Sequence, residues 1–146
     1  MTVLDENKYK VDFEISNGYI NFSAELLRLS LLAMGGFGGL ILTKFEGDGT
    51  AHGFLANPIL FLISMTFFSL CAGATLFHRY FASDCMSWYV AWLRADSLGN
   101  TEKAQKEKKG FYRMLRLSKI ALITAECLFG AAVLFFIVAI YQLILY

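Results

Sequence analysis

The sequence predicts an all-α membrane protein with three transmembrane helices, the second and third extended into a cytoplasmic helical hairpin, and a short N-terminal strand or arm. Three observations carry this expectation. Hydrophobic residues make up 57% of the 146-residue chain and charged residues only 17%, whereas a soluble domain averages about 45–50% and about 25%. Polar side chains are too few to coat a water-facing globule of this size. Three apolar segments are each long enough to cross roughly 30 Å of hydrocarbon at about 1.5 Å per helical residue. The basic residues are also unevenly placed, with most of the 13 Lys and Arg in one segment between Arg79 and Lys119. A chain this short allows one compact unit and excludes a multi-domain enzyme. A net charge of +1 argues against nucleic acid as a partner.

The first element is an arm over residues 1–18, ahead of a membrane domain over 19–146. MTVLDENKYK is polar and lacks the apolar core of a signal peptide, so membrane insertion is expected to depend on internal spans. From Lys8 to Ile15 the chain alternates: Tyr9, Val11, Phe13 and Ile15 against Lys8, Lys10, Asp12 and Glu14. This is the period of a half-buried strand, closed by SNG at Ser16 to Gly18. No second strand pattern of comparable quality exists, so such a strand must pair with another subunit or another protein. The competing reading is an amphipathic arm lying on the membrane.

The expected spans run from Phe22 to Thr43, Pro58 to Phe77 and Ile120 to Tyr141, and all are helices because backbone groups in lipid must be satisfied within the segment. A two-span alternative has the glycine-interrupted first segment only dipping into the bilayer. KFEGDGTAHG forms the first loop, and Asn57 followed by Pro58 signals the start of the second helix. The basic segment places residues 79–119, and with them the N-terminus, in the cytoplasm and the C-terminus outside. Within that segment Phe81, Cys85, Trp88 and Trp92 recur at steps of four and three, and Ala104, Phe111 and Leu115 continue a comparable stripe. SLGNT, from Ser97 to Thr101, marks the turn of a helical hairpin. The alternative is an interfacial aromatic belt with KAQKEKK touching anionic headgroups.

Charge inside the spans is the most informative functional feature. Arg28 and Glu126 each lie about six residues, or roughly 9 Å, into their spans. Unpaired charges near a helix centre cost on the order of 2.5–3.5 kcal/mol and usually face the bundle or a water-filled cavity. We therefore expect Arg28 and Glu126 to pair, within one subunit or across two. Local satisfaction of Arg28 by Glu25, or snorkelling to the interface, is the alternative. Gly35 and Gly39 on the Arg28 face, and Gly130 on the Glu126 face, are candidates for close helix packing. Ser64, Cys71, Thr75 and His78 form a mildly polar stripe, with Phe68 interposed, that suits a narrow pore or a packing seam.

No catalytic set, P-loop, HExxH motif, cofactor site or metal site is evident. His78 and His52 fall on opposite sides of the membrane, so a bis-His haem would need His78 from two chains. Cys71, Cys85 and Cys127 lack metal-site spacing and read as packing thiols.

ELLRLSLLAMGGFGGLIL from Glu25 to Leu42, a second span with FFSLCAGATLF and a third with ECLFGAAVLFFIVAIY resemble a loosely defined set of small three-span bacterial inner-membrane proteins. The resemblance implies architecture and a bacterial inner membrane, without a mechanism. In size and layout the chain is also similar to membrane effectors of bacterial anti-phage defence systems, which oligomerise and breach the membrane. The resulting expectation is a homo-oligomeric, non-enzymatic protein of the lipid bilayer that forms or gates a conduit. The competing class is a non-conducting anchor or scaffold for a cytosolic protein partner.

Overall fold

The computed structural model describes residues 6–45 and 58–145, with side chains over 9–36, 39 and 59–142. The chain forms three α-helices, α1 (Glu6–Phe45), α2 (Pro58–Ser97) and α3 (Thr101–Leu145), and no strand occurs among the described residues. Helices of 40, 40 and 45 residues are about 60–68 Å long, twice the hydrocarbon thickness of a bilayer. Two of them, over Ile59–Ser97 and Thr101–Gln142, are long and apolar enough to cross a membrane. Only 28% and 11% of their most apolar windows is buried within the chain. A core helix of a soluble protein would hide most of that surface.

The segment 22–43 is helical and lies within α1, which is not among the two helices long and apolar enough to cross a membrane that the described residues show, so the first span has no support there. One expectation is corrected. The N-terminal strand does not form, because residues 8–15 belong to α1. Tyr9 and Phe13, one helical turn apart, both meet the Tyr89 ring edge-on at 6.2 Å, and Lys10 and Glu14 form an i,i+4 pair at 4.0 Å. Val11 and Ile15, which a strand would have placed with them, are 62% and 55% exposed. A helix satisfies its own backbone, which a lone strand cannot. The expected first loop, with His52, and the expected cap Asn57 lie outside the described residues.

The turn from α2 to α3 falls where SLGNT predicted it. Gly99 takes φ +69°, a conformation that costs glycine least. The Asn100 N–H donates to Ala95 O and the Gly99 N–H to Asp96 O, the paired bonds of a Schellman ending. Asn100 then caps α3, its Oδ1 accepting from the Lys103 N–H at 3.1 Å. The helical hairpin expected over 79–119 is therefore continuous with the apolar parts of α2 and α3.

The chain divides into two compact units, one of residues 1–24 with 75–123 and one of 25–74 with 124–146. Along α2 the buried positions Ser64, Phe68, Cys71, Thr75, His78, Ala82, Cys85 and Tyr89 recur at steps of four and three. On α3 Ala104, Ser118, Ala125 and Ala132 are buried at multiples of seven, and Ser23 and Ser30 repeat seven apart on α1. This 3.5-residue period is the coiled-coil pattern. Small residues at its core positions let the helix backbones approach closely.

Candidate functional site

In the unit of residues 25–74 and 124–146, the polar residues of α2 are used within the chain. The Ser64 hydroxyl donates to Ala132 O at 2.9 Å, and the Cys71 thiol donates to Ala125 O at 3.3 Å while accepting from the Ser30 hydroxyl at 3.3 Å. Between these rungs Phe68 meets Phe129 edge-on at 5.8 Å, and Phe67 stacks on Phe135 at 5.5 Å. The other unit repeats the device. His78 Nδ1 lies 3.1 Å from Ser118 O and 3.0 Å from Ser118 Oγ, and the Cys85 thiol approaches Phe111 O at 3.9 Å. Sequence separations across these four rungs are 68, 54, 40 and 26, so each step advances one heptad on each helix.

The stripe Ser64, Cys71, Thr75 and His78 is thus buried packing, between 0% and 2% exposed. Bonding side-chain donors to helix carbonyls removes the penalty of burying them. His78 retains one orphan: its buried Nε2 has no hydrogen-bond partner among the described residues. In either neutral tautomer Ser118 serves Nδ1, as carbonyl acceptor or as hydroxyl donor.

An aromatic cluster centred on Tyr89 ties α1 to the hairpin. The Tyr89 hydroxyl donates to Asp12 Oδ2 at 2.7 Å, and its ring meets Tyr9, Phe13, Trp92 and Phe111 at 5.2–6.2 Å. Burial, then the Asp12 hydrogen bond and charge, push the Tyr89 hydroxyl up to about 12. Lys108 Nζ sits 5.2 Å from the Trp92 ring centroid. Burial, and after it the Asp84 charge, raise the Cys85 thiol. The sequence stripe Phe81, Cys85, Trp88, Trp92 missed the centre by one residue: Tyr89 is the buried position, while Trp88 donates from Nε1 to Asp84 Oδ2 at 3.2 Å. Ala104 is buried as expected, but Leu115 is 44% exposed and outside the seam.

Arg28 and Glu126 are both exposed, and no ion pair joins them within the chain among the described residues. Gly35, Gly39 and Gly130 are also exposed, and a Cβ on any of them would meet nothing within 4 Å. The close helix packing expected at these glycines is therefore not made among the described residues. Around them Leu29, Leu31, Leu32, Leu134 and Ile137 are 48–65% exposed. Sequence reasoning did not find Ser118, Gly110 or the Ser23/Ser30 repeat; a search for seven-residue spacing of small residues would have found all but Gly110.

No family model, curated protein or solved structure matches the chain.

Proposed function

We propose that the protein is a non-enzymatic, multi-pass protein of a bacterial inner membrane that works as a homo-oligomer, its copies together forming or gating a conduit. The observation that carries this reading is the placement of Arg28 and Glu126, exposed and without a counter-charge among the described residues of their own chain, on helices whose surroundings are apolar. Charge at such depth is tolerated where it faces a protein partner or water. Since the polar seam of α2 is consumed inside each chain, the conduit lies between copies. The segment 22–43 of α1 serves as the third span, with the N-terminus and 79–119 cytoplasmic, following the positive-inside rule. Assembly followed by breach of the membrane is how a defence effector of this layout would act.

Purified protein in liposomes tests this reading. Wild type should release ions or a small dye, Arg28→Glu and Glu126→Arg should each reduce release, and the double substitution should recover part of it. Absence of leakage under every condition, including with a cytosolic partner present, removes the conduit.

A second reading, a non-conducting anchor or scaffold, is favoured by the Tyr89 cluster. That cluster joins the N-terminal part of α1 to the hairpin in one compact unit, a surface suited to holding a cytosolic protein. Retention of a partner by protein that shows no flux would favour it.

A further inference from the structure

We infer that copies of this chain meet by packing α1 of one copy, parallel, along α3 of the next, with Gly35 against Gly130 and Arg28 paired to Glu126. This inference rests on the oligomeric reading above and specifies its contact. On α1 the residues Glu25, Arg28, Leu32, Gly35 and Gly39 recur at steps of three and four, so they share one face. All five are exposed. On α3 Glu126, Gly130, Leu134, Ile137 and Tyr141 form a second exposed stripe. The α1 stripe carries Glu25 and, one turn further along, Arg28, whose positive charge Glu126 of the α3 stripe answers at this depth, and both stripes carry glycines whose missing Cβ faces open space.

Heights along the helices come from the hydrogen bonds. Ser30 and Ala125 both bond Cys71, so they lie at one level. Moving up α1 from Ser30 to Met34 moves down α2 from Cys71 to Ser69, and moving down α2 to Ser64 moves up α3 to Ala132. α1 and α3 are therefore parallel within this unit. Gly35 is five residues beyond Ser30 and Gly130 five beyond Ala125, so both stand about 7.5 Å above that level. Copies related by rotation about the membrane normal keep equal heights, which sets Gly35 of one copy opposite Gly130 of the next. Two facing glycines allow the close backbone approach by which helices associate in lipid. Arg28 starts about 4.5 Å below Glu126 on the same count, a gap an arginine side chain spans. Because the two faces lie on different helices, the contact is head-to-tail and propagates until a ring closes.

Leu32 and the native Cys127 are each two residues beyond the common level, which supplies a direct test in membranes. Full-length Leu32→Cys chains that also carry Cys127→Ala, with one tag, are mixed with wild-type chains carrying another tag and oxidised. The contact predicts a mixed-tag disulfide dimer, no dimer from the Leu32→Cys chains alone, and none from Leu70→Cys with Cys127→Ala, exposed on α2. Gly130→Leu in the wild-type partner should abolish the mixed dimer without unfolding the chain, since its side chain meets open space there. Self-linking of Leu32→Cys chains, equal linking through Leu70→Cys, or indifference to Gly130→Leu overturns the assignment. A complex larger than a monomer in detergent with no Leu32 to Cys127 link overturns this face and leaves the oligomeric reading standing. A monomer in both detergent and membrane overturns both.

Discussion

Gly110 of α3 lies against the indole of Trp88, so close that a Cβ built on it would overlap Trp88 Cε3 and stand 2.7 Å from two further ring carbons. The Nε1 bond to Asp84 restrains the ring in this position. Glycine here serves the approach of a large flat side chain, and it tolerates a helix-interior penalty of about 1 kcal/mol to do so.

Gly110→Ala should therefore destabilise the hairpin, because overpacking of about 1–3 kcal/mol outweighs the gain in helix propensity. Thermal unfolding in detergent measures this. Trp88→Leu should remove most of the penalty, and additive effects of the two substitutions would show that the ring is not the cause.

Loss of the Tyr89 hydroxyl should free the N-terminal part of α1 while leaving the hairpin folded. A hydrogen bond to a charged acceptor is worth about 1.5–3 kcal/mol, less here because Asp12 is exposed. Tyr89→Phe should raise amide exchange across residues 9–20 more than across 101–123. Alkali should do the same to wild type. The Tyr89 hydroxyl is raised to about 12 from an unfolded value near 10, so its neutral form stabilises the fold fully below about pH 10. That contribution is lost as pH rises through about 12. The Phe variant should lack this component, and identical alkaline profiles would show that Tyr89 does not hold the arm.

Much of this fold was legible because hydrophobic patterning and turn chemistry act locally. SLGNT carries both the glycine of a left-handed ending and the asparagine of the next cap, and the turn formed there. The polar stripe of α2 was visible, but its use was not, since pore lining and seam packing demand the same spacing and differ only in what stands opposite. The N-terminal segment misled for a related reason. Tyr9 and Phe13 satisfy both a two-residue and a near-four-residue period, and only Tyr89, far off in sequence, selects the second. Gly110 could not be found at all, because its reason lies on another helix.

Ala125 and Ala132 are fully buried where Cys71 and Ser64 bond their carbonyls. Ala125→Leu should push α2 away, break the Cys71 bond and cost about 1–3 kcal/mol by overpacking. Leu134→Ala, at a position 65% exposed, should change monomer stability little. Denaturant unfolding of both variants in one detergent checks the contrast, and equal losses would place the seam elsewhere.

The three thiols separate burial inside one chain from exposure on its outer face. Cys71 and Cys85 are buried and Cys127 is exposed. In detergent, where small reagents exchange with the surrounding micelle, Cys127 should react with a maleimide many times faster than the other two. Cys85 should be slow for two reasons, its enclosure and a thiol raised by that burial and by Asp84, since only the thiolate attacks. In intact membranes a charged, water-soluble maleimide should fail to reach Cys127, whereas a small apolar one should label it. Peptide mass analysis of the labelled sites reads both experiments. Rapid labelling of Cys127 by the charged reagent in sealed membranes would mean that water reaches this face of α3. If labelling then stopped in the Glu126→Gln variant, the water path would run along the charged stripe.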